Sequence, residues 1–576
     1  MVTARKLLLI LLALLLLLTA WLWWNRPQKV DMAAYVPADS LVFIEANSLP
    51  RIAGDLLSTD AWKQLAPFDD VTPTRIHWLT RFAAWTGIGT AEAVIFARSQ
   101  AAVALMDIDA GRAGEELTLN VKPRAAIVLE THTGERRVRA GVEKLVGNFA
   151  RRAYGNPRIE RRETDEAAWI IWTAPEGERR IVSAVADSVA IIGNDEATVA
   201  ACLAARRGER PSLAGNADLE AMRGRVEAAD ALASGYISPQ SAARLTVLAA
   251  SVYAAQSALN PRAQSTAAAL LPQLVDRIIG GAAWSARLKG DRIEDRYFFG
   301  IKNNLAARLQ EPLAPSTEST ERASELLPSD LYQLTHYNLR DPERAWRGLN
   351  ATLSSQLDVL YAPFVSRFLD TALEPYGIET PATFFTAAGP DLWTARLDDT
   401  GESTLMIAGV RDETRLRAQI RKRLGARTRS ERIGDAELLI STDEERGAAS
   451  FVANHLIMGA EGDVRTALQT RTAATRTLAT SDAFKRAQHN APESDGASVI
   501  TYTDDRAPTR SFIYAIARLR QNTNAQRNES FDQSLAALPY SVSTTRVVEG
   551  GFERRTLSSF GQFGAITTLF ETNATS

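Results

Sequence analysis

Hydrophobic and polar positions along the chain follow three rhythms. The first is an uncharged, almost wholly apolar run from Leu7 to Trp24, 18 residues. As a helix it is about 27 Å long, close to a hydrocarbon core of about 30 Å. Trp21, Trp23 and Trp24 gather at its far end, where indoles favour the headgroup layer, and Arg26, Pro27 and Lys29 end it. A cleaved signal peptide has a shorter apolar region and small residues at −3 and −1. Cleavage after Ala20 places Leu18 at −3. The run therefore predicts an uncleaved signal-anchor. Arg5 and Lys6 precede it, and the short leading tail predicts a cytoplasmic N-terminus. The body is then expected on the periplasmic side of an inner, cytoplasmic membrane crossed once.

The second rhythm is alternation of period two, or a short apolar run, and it predicts strands. Leu41–Glu45, Ala93–Ala97, Ala101–Met106, Ala125–Glu130, Ala168–Trp172, Arg180–Ala184 and Ser188–Ile192 read this way. Ala282–Leu288 and Arg292–Phe299, joined at Lys289-Gly290-Asp291, predict a hairpin. Tyr332–His336 and Ser403–Ala408 read as strands further along.

The third is helical. Val138, Val142, Leu145, Val146 and Phe149 share one helix face. Val199 and Leu203 follow a cap at Asn194 or Asp195. Ala345, Leu349, Leu353, Leu357 and Leu360 follow Pro342 at a helix start, and an apolar helical section over 240–279 is interrupted at Asn260-Pro261. Strands separated by single helices, with hairpins, predict an α+β class: an N-terminal transmembrane helix, then two homologous lobes of mainly antiparallel sheet with packed helices.

Two lobes are expected because four landmarks recur in order. Pro37-Ala38-Asp39 with Asn47 returns as Pro328-Ser329-Asp330 with Asn338. Thr86-Gly87-Ile88-Gly89 returns as Tyr376-Gly377-Ile378-Glu379. Gly193 with Val199, Leu203 and Ser212-Leu213-Ala214 returns as Gly459 with Val464, Leu468 and Thr477-Leu478-Ala479. Ile293-Glu294-Asp295-Arg296 returns as Phe552-Glu553-Arg554-Arg555. The expected organisation is an anchor over 1–29, a first repeat over 30–310, a solvated linker over 311–326, a second repeat over 327–570 and a polar tail over 571–576. Matching positions mostly keep apolar, glycine and turn residues, as a retained scaffold would.

The anchor, Val36-Pro37-Ala38-Asp39-Ser40 leading into a strand, and Leu57–Trp62 together resemble the start of an uncharacterised bacterial family of membrane-anchored extracytoplasmic proteins. The region of Gly193 and Ser212-Leu213-Ala214 is similar to that family's mid-domain segment. The second half departs from it at Leu331, where a small polar residue is expected. The resemblance implies a bacterial envelope location and no activity.

Composition changes little. Of 576 residues, 45% are hydrophobic and 23% charged, and 66 Lys+Arg against 68 Asp+Glu leave no basic excess for nucleic acid. Cys202 is the only cysteine, so no intrachain disulfide forms, and its apolar helix face beside Leu203 suggests packing. His77, His132, His336, His455 and His489 lie far apart in sequence, and no zinc spacing occurs. No nucleophile elbow appears, and Thr86–Thr90 lacks the lysine and third glycine of a phosphate loop. No catalytic, cofactor-binding or metal-ligating residue is assigned, and no cofactor is expected.

Arginines and a lysine crowd 415–432, a patch suited to anionic lipid or an acidic partner. The expected function is a non-catalytic, membrane-anchored scaffold or binding protein of the envelope, with the membrane met through 7–24 and an envelope protein as partner. The alternatives are a carrier or sensor of lipids or other apolar ligands, with 240–279 as a candidate groove, and an enzyme with an unrecognised carboxylate or serine site.

Overall fold

The computed structural model describes residues 29–65, 89–113, 118–177, 179–256, 275–302, 304–316, 322–356, 366, 369–370, 373, 378, 380–443, 446–473, 477–518 and 529–571. The first half contributes β1 (Val42–Ala46), β2 (Gln100–Ala113), β3 (Thr118–Glu130), β4 (Arg158–Glu163), β5 (Ala168–Thr173), β6 (Arg180–Ala186), β7 (Val189–Gly193), β8 (Ala233–Ile237), β9 (Ile279–Lys289) and β10 (Arg292–Ile301). The second contributes β11 (Gln333–Asn338), β12 (Ala388–Arg396), β13 (Thr404–Val410), β14 (Thr428–Ile433), β15 (Ala436–Ser441), β16 (Ala448–Val452), β17 (His455–Gly459), β18 (Val499–Thr503), β19 (Ser541–Val548) and β20 (Gly551–Ser558).

All 20 strands among the described residues join one antiparallel sheet. The first half runs β4-β5-β6-β7-β3-β2-β1-β8-β9-β10. The second repeats that order as β14-β15-β16-β17-β13-β12-β11-β18-β19-β20. The halves meet where β10 pairs with β20, from Ile293 opposite Ser558 to Gly300 opposite Gly551. At the centre of that seam Arg296 faces Arg555, and these are also matched landmark positions. The strand order therefore has a local two-fold through this pair, normal to the sheet.

Helices cover both faces. On one, Val199, Cys202 and Leu203 pack on Phe43, Val128 and Ile191, while Val464, Leu468 and Phe484 pack on Leu334, Ile407 and Ile457. On the other, Val138, Val142 and Val146 cover Ile170 and Trp172. Leu416, Ile420 and Leu424 cover Met406, Leu456 and Met458. The middle of that second face is a core drawn from both halves, with Ile52, Trp62 and Leu65 meeting Ile293, Phe512, Phe531 and Phe560. The alternating pattern of β5 explains the two-sided burial: Trp169 and Ile171 face one core, Ile170 and Trp172 the other.

The outer edges are β4 and β14, exposed at six of six and five of six positions and rich in charge. Charged edges oppose further strand pairing. Arg161 meets Glu143 at 2.6 Å on one edge, and on the other Arg465 meets Glu431 at 2.5 Å.

Three expectations need correction. The fold is not two separate lobes, since one sheet runs through both halves. No described helix is long and apolar enough to cross a membrane. The 20-residue helix Glu135–Tyr154 carries Arg136, Arg137, Arg139, Lys144, Arg151 and Arg152, a charge load that hydrocarbon excludes. The Leu7–Trp24 run lies outside the described residues. The single-pass, signal-anchor and inner-membrane assignments thus have no described helix to support them. Finally, Ala93–Ala97 belongs to a helix, Thr90–Ala97, not a strand. A five-residue apolar run does not separate the two states by itself.

Part of the segment read as a solvated linker is packed. Pro315 bridges Leu339, the Ser316 amide donates to the Asn338 carbonyl at 3.0 Å, and Ala323 and Leu326 are buried in a core.

Candidate functional site

Three groups of polar side chains stand out, and the first surrounds the two-fold. Glu294 is fully buried on β10 and accepts from Arg287 Nε at 2.7 Å, Lys289 Nζ at 2.7 Å and Arg296 Nε at 3.0 Å. Glu227, held at φ 51°, binds Arg287 at 2.7 Å and also Arg296. The second half repeats this. Glu553 accepts from Arg546 Nη2 and Arg555 Nε, each at 2.7 Å, while Glu493, at φ 47°, binds both arginines. Positions 287 and 546, 294 and 553, and 296 and 555 each lie 259 apart, and 227 and 493 lie 266 apart. The halves thus keep a polar network beside the apolar, glycine and turn residues that most matching positions hold. Each carboxylate is spent on arginine or lysine, so the network binds the sheet's middle together.

The second group is a pair of clefts. In each half the Pro-x-Asp turn docks by the same bridge, Pro37 with Ser212 and Pro328 with Thr477. Beside the first turn lies a cleft of about 450 Å³ lined by Asp39, Asp107, Asp195, Arg124, Arg210 and Arg244. Arg210 meets Asp39 at 2.6 Å and Arg244 meets Asp107 at 2.8 Å. Beside the second turn lies a cleft of about 380 Å³ holding Asp330, Asp504, Asp505, Arg506 and Tyr540. Arg506 Nε reaches both Asp504 oxygens, at 2.8 and 2.7 Å. Desolvation raises the Asp505 carboxyl above the usual range, opposed by Arg292. Each cleft is built within one half. Because β1 and β11 run in opposite directions across the sheet, their turns, and the clefts, sit at opposite ends.

The third group joins histidines that the sequence leaves 119 positions apart. His455 Nε2 approaches Asp391 Oδ2 at 2.7 Å and its Nδ1 faces the Ala453 carbonyl at 2.9 Å. Trp393 Nε1 donates to Asp391, and His336 stacks on Trp393 with centroids 3.8 Å apart. Burial pulls His336 down to about 4, against the opposing pull of Asp391. Both His455 nitrogens face acceptors, which leaves neither as a base towards the adjoining 170 Å³ pocket.

No family model matches the chain, and no curated protein or solved structure does either.

The remaining candidates fall in plain places. Cys202 is buried and its thiol is pushed up to about 12 by desolvation. His132 packs beside Gln100 and Glu130, and His77 lies outside the described residues, as does 257–274 of the apolar helical section. In the 415–432 run Arg415 meets Asp412 at 3.2 Å, Arg417 meets Glu413 at 2.6 Å and Arg429 meets Glu461 at 3.0 Å. These pairs reduce the free positive charge there.

Proposed function

We propose that this protein is a non-catalytic binding scaffold whose two charged clefts take polar segments of partner molecules at opposite ends of one rigid sheet. The observation that carries the reading is the recurrence of the cleft at the same turn in each half, with different charge in the two. The first cleft mixes arginine and aspartate, and the second holds three aspartates against Arg506. A gene duplication followed by divergence of the two sites accounts for that pattern, and we include it in the proposal. The equal strand orders and the repeated Arg–Glu network support it.

The test places a photo-crosslinking residue at Gln240 in the first cleft and at Thr480 in the second, in the full chain. Each is expected to capture a partner, and charge reversal at Arg210 or Asp504 should abolish capture in its own cleft only. Capture that survives both reversals, or none at either position, overturns the reading.

A further inference from the structure

On the second face of the sheet, the second half contains a cavity of about 220 Å³ with almost no polar atom on its wall. Helix Pro342–Ser354 lays Ala345, Trp346 and Leu349 over it, and Leu392, Met406 and Phe552 form its floor. Ser498 also lines it, but its hydroxyl is spent donating to the Leu313 carbonyl at 2.6 Å.

The matching place in the first half is closed. Phe552 and Thr545, which line the cavity, correspond at a spacing of 259 to Ile293 and Ala286. Those two lie in the core filled by Trp62, Phe512, Phe531 and Phe560. The same sheet position is therefore solid in one half and hollow in the other. Protein interiors close-pack, and voids much larger than a water are few, so a hollow of this size is unusual unless something enters it.

We infer that this cavity is a binding site for an unbranched alkyl chain, the tail of an amphiphile whose polar head stays at the mouth. A cavity of about 150 Å³ admits the six carbons of benzene, so 220 Å³ admits about eight or nine. The walls present almost no polar surface to recognise a ring heteroatom or a head group, and recognition rests on length and burial.

Titration of the full chain with 1-octanol, with 1-butanol and 1-dodecanol for comparison, tests this by calorimetry. Saturable octanol binding is expected, with affinity per carbon highest near eight carbons. Filling the cavity by Ala345→Phe or Leu349→Trp should weaken octanol binding at least tenfold while the Tm holds or rises. Charge reversal at Arg210 or Asp504 should leave octanol binding unchanged, which separates this site from the clefts. Equal binding by filled variants that remain folded overturns the inference. If those variants do not fold, the chain-length series decides, and affinity that climbs steadily from butanol to dodecanol overturns it.

Discussion

At the scale of single residues, two buried titratable groups pull stability in opposite directions with pH. His336 sits below its ordinary 6.5, at about 4, because burial penalises the imidazolium. Its contribution is complete above pH 6.5 and is lost as pH falls through about 4, since the unfolded chain takes the proton first. Asp295 is raised from 3.8 to about 7 by desolvation, although Trp284 Nε1 donates to it at 2.8 Å and the Gln562 amide at 3.1 Å. Its contribution is complete below about 3.8 and is lost as pH rises through about 7. Each is worth up to about 3 kcal/mol at the far end of its window, so in the parent they largely offset one another. Denaturant midpoints at pH 7.5 and pH 4.5 should reveal this. Relative to the parent, His336→Gln should gain stability on going to the lower pH, and Asp295→Asn should lose it. Parallel profiles in all three proteins would refute both assignments.

At the scale of elements, the seam between β10 and β20 carries the clearest expectations. Removing charge from Glu294 leaves Arg296, which is 6% exposed, with Glu227 as its remaining carboxylate partner. Glu294→Gln should cost about 3 kcal/mol, at the lower end for a broken buried pair. Glu553→Gln should cost somewhat less, because Arg555 and Glu553 are 12% and 13% exposed. Chemical denaturation of both variants checks whether the two networks are worth the same. Gly551 is a second weak point: a Cβ there would lie 2.0 Å from the Phe299 carbonyl oxygen. Gly551→Ala should cost about 1–3 kcal/mol or more as the strands are forced apart.

The same scale shows what the sequence makes legible. The hairpin at Lys289-Gly290-Asp291 is readable because Gly290 has φ 64°, as the turn chemistry requires. The helix of Val199 and Leu203 is readable because Asp195 caps the Thr198 amide. Half of the Arg–Glu network is also visible, in the recurrence of Glu294 and Arg296 as Glu553 and Arg555. The 259 spacing also relates Arg287 to Arg546, whereas Glu227 and Glu493 follow the 266 spacing of the middle segment. The cluster of His336, Asp391 and His455 leaves no such trace. It forms only because β11 pairs with β12 and β13 with β17, bringing Trp393 opposite His336 and His455 opposite Gly409. Long-range strand register of this kind is not encoded in local periodicity.

For the molecule as a whole, the decisive property is that the halves share a sheet and a core. Eight residue pairs bind β10 to β20, from Ile293 with Ser558 to Gly300 with Gly551. Beneath them, Ile52, Trp62, Leu65 and Ile293 of the first half interlock with Phe512, Phe531 and Phe560 of the second. The Arg292 guanidinium adds a hydrogen bond to the Tyr540 carbonyl at 2.9 Å, and the Gln562 amide reaches back to Asp295. Hydrophobic burial and a continuous ladder across the boundary make separation of the halves about as costly as breaking a domain core. A protease site engineered between Ser316 and Arg322 should therefore yield a nicked protein whose two fragments elute together on size exclusion. They should part only in denaturant, in the same transition that melts the sheet. Fragments that separate in buffer would mean that the seam is a docking contact between two independent domains. A bridging scaffold would then lose the fixed distance between its two clefts.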